Sequence, residues 1–264
     1  MTFVSGSVLD CEGSRDHPIV IAHRGSSADA PENTFSAFDR AVSSGADMIE
    51  LDIRMTLDEK LIVHHDRTFH RIAGKRASAS ETLYSSIQSL DVGSWFSSGF
   101  AGEKIPLLEG VFHQIPSSFP LNVEVKTDGD TRRRSLLIQR LADVLRRCKC
   151  QNRVIVSSFD HRFLASFHQV APEFDIGVLL MPVRDARVRP DSMRKRYGAS
   201  WIVGNLRQVR STLVRRAHDE GLCVACYTVN TIRQLVTKLH TGVDAVITNH
   251  PRLIAAAMDT ARPQ

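Results

Sequence analysis

Eight short, almost unbroken apolar runs, separated by stretches of helical period, limit what this chain can fold into. They are Ile19–Ala22, Met48–Asp52, Leu121–Val125, Val154–Ser157, Ile176–Leu180, Trp201–Val203, Cys223–Tyr227 and Ala245–Thr248. A sheet with one wet face would alternate apolar and polar residues, whereas unbroken runs suit parallel strands buried on both faces. The intervening segments supply the cover. Asn33–Ser44 starts at a Pro-Glu-Asn-Thr turn and stops before Gly45, and Thr131–Arg147 carries Leu137, Leu141, Val144 and Leu145 on one stripe that continues to Cys148. Leu206–Glu220 and Thr231–His240 both run out just ahead of a glycine. Eight strands alternating with helices predict an α/β fold, a (β/α)8 TIM barrel, with a doubly wound open sheet as the competing arrangement. The length of 264 residues suits one barrel of about 250 residues. A single catalytic domain is therefore expected over 19–264, behind a loose leader at 1–18.

One segment breaks the alternation. Leu61–His65 is strand-like, yet it follows Asp52 too closely for a helical crossover. It reads as the returning arm of a hairpin off the second strand, the start of an insertion over about 58–106 that is rich in Ser and Gly. With Asp58-Glu59 at the turn, Asp52 faces His65 and Ile53 faces His64. Directly opposed residues share a side of a hairpin, so His65 is expected beside Asp52 and His64 away from it. A slip of one residue would exchange the two histidines.

Composition removes several functional classes. Lys and Arg number 34 against 29 Asp and Glu, a net charge of +5 that favours anionic ligands. That excess is too small for a nucleic-acid surface, and the aromatic residues, 6% of the chain, are not interleaved with the basic ones. No apolar run approaches the 18 residues of a membrane-inserted helix, and the N-terminus lacks the pattern of a signal peptide. Of the five cysteines, Cys148 and Cys150 sit two apart at a helix end, and Cys223 and Cys226 sit three apart in a strand, pointing to opposite faces. All five are expected to be free thiols, which points to the cytoplasm.

The polar residues fall where a barrel does its chemistry. His23-Arg24 follows the first strand, Glu50 and Asp52 end the second on one face, and Glu124 and Lys126 end the third with the same parity. In a parallel barrel these ends surround one mouth. Three carboxylates converging there raise one another's pKa unless a cation lies between them, and hard oxygen ligands suit Mg2+ or Ca2+. Two imidazoles, His23 and His65, could then accept a proton from a nucleophile and return one to a leaving alcohol, while Arg24 and Lys126 neutralise phosphate oxygens. His17, His70, His113, His161, His168, His218 and His240 are read as structural or surface residues.

In order along the chain, Ala22-His23-Arg24-Gly25, Pro31-Glu32-Asn33-Thr34, Glu50-Leu51-Asp52, His65-Asp66, Asp91-Val92-Gly93-Ser94-Trp95-Phe96, Ile105-Pro106-Leu107-Leu108, Asn122-Val123-Glu124-Val125-Lys126, Ser157-Ser158-Phe159 and Tyr227-Thr228-Val229-Asn230 resemble the glycerophosphodiester phosphodiesterase family over roughly 19–254. The resemblance implies a barrel holding one divalent cation (Mg2+ or Ca2+, with Mn2+ a third possibility) through Glu50, Asp52 and Glu124. It also implies His23 and His65 as the acid–base pair, Arg24 and Lys126 on the phosphate, and Tyr227 against the glycerol end of a small-molecule phosphodiester. Two positions depart from the family pattern: Asn249 stands where Asp is usual after Thr248, and Glu59 where Gly is usual in the hairpin turn. A lysophospholipase D is the alternative within the same chemistry, but it needs an apolar lip. A non-enzymatic binding barrel would need a lost ligand or histidine, and none is lost.

Overall fold

Each apolar run becomes a strand because both of its faces find cover. The computed structural model describes residues 18–128, 130–185 and 189–260. Its strands are β1 (Ile19–His23), β2 (Met48–Met55), β3 (Leu61–Val63), β4 (Thr68–Phe69), β5 (Lys75–Ser78), β6 (Leu121–Val125), β7 (Val154–Ser158), β8 (Asp175–Leu179), β9 (Ala199–Asn205), β10 (Cys223–Tyr227) and β11 (Ala245–Thr248). The α-helices are α1 (Phe35–Val42), α2 (His70–Ala73), α3 (Leu108–Gln114), α4 (Thr131–Arg147), α5 (His161–Val170), α6 (Pro190–Tyr197), α7 (Ser211–His218), α8 (Ile232–Leu239) and α9 (Pro251–Thr260).

Strand β1 pairs in parallel with both β2 and β11, which closes β1, β2 and β6 to β11 into an eight-stranded parallel barrel. The open sheet is excluded, because it would leave two strands unpaired on one side. Strand parity divides the core. Val20, Ala22, Ile49, Leu51, Ile53, Val123, Val125, Val154 and Val156 point outward and pack with the helices. Ile19, Ile21, Met48, Ile155, Leu179, Trp201, Val203, Cys223, Ala225, Ala245 and Ile247 point inward and fill the barrel. The interior is therefore plugged from below, and the positions that continue the inward parity at the carboxyl ends form the floor of the mouth. Helix α4 forms over the span its stripe predicts, capped by Asp130 and buried along Leu137, Ile138, Leu141, Val144 and Leu145. Helix α7 begins at Ser211 rather than at the expected Leu206, because the Asn205 side chain accepts from the Arg207 and Gln208 amides and holds that stretch in a turn.

The hairpin register differs from the expectation by one residue. The Thr56 amide donates to the Lys60 carbonyl at 2.9 Å, and Glu59 sits at the tip of the loop with φ +64°. The turn therefore holds three residues rather than two, with a left-handed residue closing it. Ile53 pairs with Val63 and Met55 with Leu61, which places His64 opposite Asp52, its amide donating to the Asp52 carbonyl at 2.9 Å. Ile62 and His64 share the face that covers a small second core, Ile62, Phe69, Ile72, Ala79, Ile87, Val92 and Ile105, built by the insertion. The antiparallel ribbon β4–β5 and helix α2 belong to this insertion.

The cysteine reading is also corrected. Among the described residues Cys148, Cys150 and Cys226 are free, but Cys223 is disulfide-bonded; spacing tests only pairs that are close in sequence. Cys11, His17, all of the expected leader except Pro18, and residues 261–264 lie outside the described residues. No described helix is long and apolar enough to cross a membrane.

Candidate active site

Inward parity puts His23 at the end of β1, Glu50 and Asp52 on β2, and Glu124 near the end of β6. The ladder sets their heights: His23 is level with Glu50, and Asp52 with Glu124. One carboxylate oxygen from each of Glu50, Asp52 and Glu124 lies within 4.8 Å of the others, and all three side chains are buried. Level with Glu50 and Glu124 in the ladder, Asn122 and Ser157 add a polar pair, Ser157 donating to the Asn122 side-chain oxygen at 2.7 Å.

Two cations lean on the cluster. Arg24 adopts a left-handed backbone (φ +56°), a conformation that costs a non-glycine residue about 1–2 kcal/mol. It turns the Arg24 amide onto Glu50 Oε2 at 2.9 Å and its Nε toward Asp52 Oδ2 at 3.2 Å. The next residue must be glycine, because a Cβ on Gly25 would lie 2.7 Å from the Ala37 backbone. Lys126 lies 3.0 Å from Asp52 Oδ1 and donates to Glu124 Oε1. Asn33, also left-handed, donates to Asp52 Oδ2 at 2.9 Å and accepts from the Asp52 amide. Glu50 Oε1 is left buried without a partner.

Burial and the neighbouring Asp52 charge push the Glu50 carboxyl up to about 8, and the same two causes push Glu124 up to about 7. Burial acts on Asp52 in the same direction, but Lys126 and Arg24 outweigh it and hold Asp52 well below the usual carboxylate range. When all three are ionised, these oxygen-only side chains, one with an orphaned buried oxygen, carry more negative charge than the two cations neutralise. That donor set fits a hard divalent cation.

The two histidines flank the cluster. His23 Nδ1 lies 2.6 Å from Asn249 Oδ1, and its Nε2 lies 3.9 Å from Glu50 Oε2. His65 Nδ1 lies 2.8 Å from Asp66 Oδ1, and the Arg54 Nε donates to the His65 carbonyl. Burial is the main cause lowering both rings below the ordinary histidine value; on His65 the Arg24 and Lys126 charges lower it further, against the Asp52 charge, which raises it. His64 is elsewhere: its ring stacks on Phe69 at 4.8 Å, with Nε2 3.2 Å from the Thr68 carbonyl. Tyr227, at the end of β10, meets Phe159 edge-on at 6.5 Å, and the Lys126 ammonium lies 5.8 Å from the centre of the Phe159 ring.

Several residues of the site were given no role in the reading of the sequence. Phe159 and Asn249 continue the inward parity of β7 and β11, so extending each strand by one or two residues would have placed them in the mouth. Glu32, Asp66 and Arg71 sit on loops or a single helical turn, where no period exists to read.

These charges predict how stability varies with pH. Glu50 and Glu124 bind protons in the folded protein over a range in which the unfolded chain has released them. Their contribution to stability is present below about pH 4.5 and is lost as pH rises through about 7 to 8. The depressed histidines act in the opposite sense near their ordinary value, so the effect is best isolated by difference. In the chelated protein, Tm from about pH 6 to about pH 8.5 should fall more steeply in the wild type than in Glu50→Gln. Equal slopes would contradict the charge assignment.

Comparison with known proteins adds independent findings. Residues 23–253 match the model described as the Glycerophosphoryl diester phosphodiesterase family. A glycerophosphodiester phosphodiesterase of Caldanaerobacter subterraneus is 34% identical over 242 residues, which is 89% of this chain and 96% of that protein. One of Bacillus altitudinis is 32% identical over 236 residues, 88% of this chain and 94% of that protein. Among solved structures, a phosphodiesterase of Oleispira antarctica in complex with the product sn-glycerol-3-phosphate aligns with a TM-score of 0.85 at 25% identity, over 92% of this chain and 97% of that one. A glycerophosphodiester phosphodiesterase of Agrobacterium tumefaciens aligns with a TM-score of 0.77 at 28% identity, over 91% of this chain and all of that one.

Proposed function

The chain belongs to the glycerophosphoryl diester phosphodiesterase family, and from that premise we propose that it is a metal-dependent enzyme cleaving glycerophosphodiesters to glycerol 3-phosphate and an alcohol. The observation that carries this reading is the buried Glu50–Asp52–Glu124 cluster, flanked by two histidines and two cations. A divalent cation held by those three carboxylates, Mg2+ or Ca2+ with Mn2+ also compatible, supplies positive charge for a phosphoryl oxygen.

The chain's own residues do the rest. Arg24 and Lys126 meet the phosphate, neutralising charge that builds as the diester is attacked. His23 and His65 each use Nδ1 on a neighbouring side chain, which leaves Nε2 of each for proton transfer. One ring accepts the proton of the nucleophile and the other protonates the leaving alcohol. The nucleophile is water or the adjacent glycerol hydroxyl, which the substrate holds at high effective concentration. Tyr227 and Phe159 form the aromatic wall for the glycerol carbons.

Loose head-group selection follows, since the residues assigned to binding address the phosphate and the glycerol. In a coupled glycerol 3-phosphate assay with glycerophosphocholine, glycerophosphoethanolamine and glycerophosphoglycerol, kcat/KM should differ by less than about a hundredfold across the panel. Release of glycerol 3-phosphate from none of them would refute the activity. A difference above about a thousandfold for one head group would reveal a dedicated pocket instead.

A further inference from the structure

Arg71 belongs to α2, the single helical turn of the insertion, and its whole guanidinium is committed to two carboxylates at the mouth. Its Nε donates to Asp66 Oδ2 at 2.7 Å, and Asp66 Oδ1 is the atom 2.8 Å from His65 Nδ1. Its two terminal nitrogens grip Glu32 as a fork, at 2.9 Å to Oε2 and 2.6 Å to Oε1. Glu32 Oε1 also accepts from Arg24 Nη1 at 2.8 Å, and Arg24 Nε lies 3.2 Å from Asp52 Oδ2. The guanidinium lies 5.6 Å from the centre of the Trp95 ring, and the Trp95 indole is tied to the Val92 carbonyl at 2.8 Å. One side chain from the insertion therefore joins a histidine and an arginine of the mouth.

We propose that Arg71 is a positioning residue that sets the His65 ring through Asp66 and the Arg24 guanidinium through Glu32. The inference rests on the roles given above to His65 and Arg24, and it gives the insertion a part in the reaction. The geometry requires a planar fork with a third donor. A lysine would bring charge but could not hold both carboxylates at once. Without the fork, Asp66 is free to turn from His65, and Glu32, which holds Arg24 Nη1, loses its anchor.

The test compares Arg71→Ala, Arg71→Lys, Asp66→Ala and Glu32→Ala on glycerophosphocholine with saturating Mg2+. Asp66→Ala should lower kcat with little change in KM, and Glu32→Ala should raise KM. Arg71→Ala should do both, with kcat falling about 10–100-fold, as for other outer-shell orienting partners. Arg71→Lys should recover only part of the loss, and added guanidinium ion should partly restore Arg71→Ala, which it would not do for a misfolded protein. Arg71→Ala should add little once Asp66 and Glu32 are both alanine, because the three act as one unit. In the chelated protein, the NMR ring signals of His65 should shift or broaden in Arg71→Ala while those of His161 and His218 stay in place. Kinetic constants within twofold of wild type, or losses that add independently, would overturn the proposal. If His65→Ala and Arg24→Ala were themselves fully active, the underlying assignment would fail instead, so the two failures are distinguishable.

Discussion

Chelation should abolish turnover, and Mg2+, Mn2+ or Ca2+ should restore it. Without a divalent ion the cluster meets its charge problem by other means. Glu50, at about 8, and Glu124, at about 7, retain protons near neutral pH, and Lys126 gives its charge to Asp52 and Glu124 instead of to a phosphate. The phosphate then faces a site whose cations are already engaged. Removing a Lewis acid that supplies several kcal/mol of charge stabilisation corresponds to a loss of at least about 10³ in rate. Glu124→Gln should remain folded, because its neighbours Leu121, Val123 and Val125 hold β6 in place, yet it should bind the cation far more weakly. Full activity in EDTA-treated wild type, with metal content confirmed as nil, would refute metal dependence. Proton release offers a second readout: titrating Mg2+ into the chelated, weakly buffered protein should release more protons near pH 6 than near pH 9, because the glutamates must be deprotonated to ligate.

The barrel was legible because its signal repeats. Each strand is buried on both sides, so each apolar run shows in the sequence whatever it packs against, and parity then orders His23, Glu50, Asp52 and Glu124 around one mouth. The exact spans of α4, β6, β10 and β11 follow from this and from sharp caps such as Asp130. What stayed hidden depends on backbone geometry that no period encodes. The hairpin turn gained a residue because Glu59 accepts a left-handed conformation that its residue type does not advertise. The ring of contacts through Glu32, Asp66 and Arg71 is assembled from a loop and one helical turn. The Cys223 disulfide is invisible to any test of local spacing.

Of the adjacent histidines, His65→Ala should lose rate and keep stability, whereas His64→Ala should lose stability and keep rate. The sequence argument reached the same division through a hairpin pairing of Asp52 with His65, and that pairing is wrong: the ladder sets His64 opposite Asp52. By parity alone His64 would then be the catalytic candidate. It is not placed to act, because β3 ends at Val63 and the His64 side chain, on the face of Ile62, turns into the insertion's core. There it is 2% exposed, stacked on Phe69, and pushed down to about 4 by burial. A ring so placed stays neutral at working pH and has no path to the mouth. His65, two residues beyond the end of β3, is released from strand alternation; Arg54 holds its carbonyl and Asp66 holds Nδ1. Deleting a general acid or base typically costs about 10²–10⁴ in rate, so kcat of His65→Ala should fall in that range with Tm nearly unchanged. His64→Ala should stay within about tenfold in kcat while losing about 1–3 kcal/mol of stability through lost packing on Phe69, and His64→Phe should restore part of that stability by keeping the stack. A rate collapse in His64→Ala with normal Tm, alongside an active His65→Ala, would reverse the assignment and return the catalytic role to the residue that the ladder places opposite Asp52.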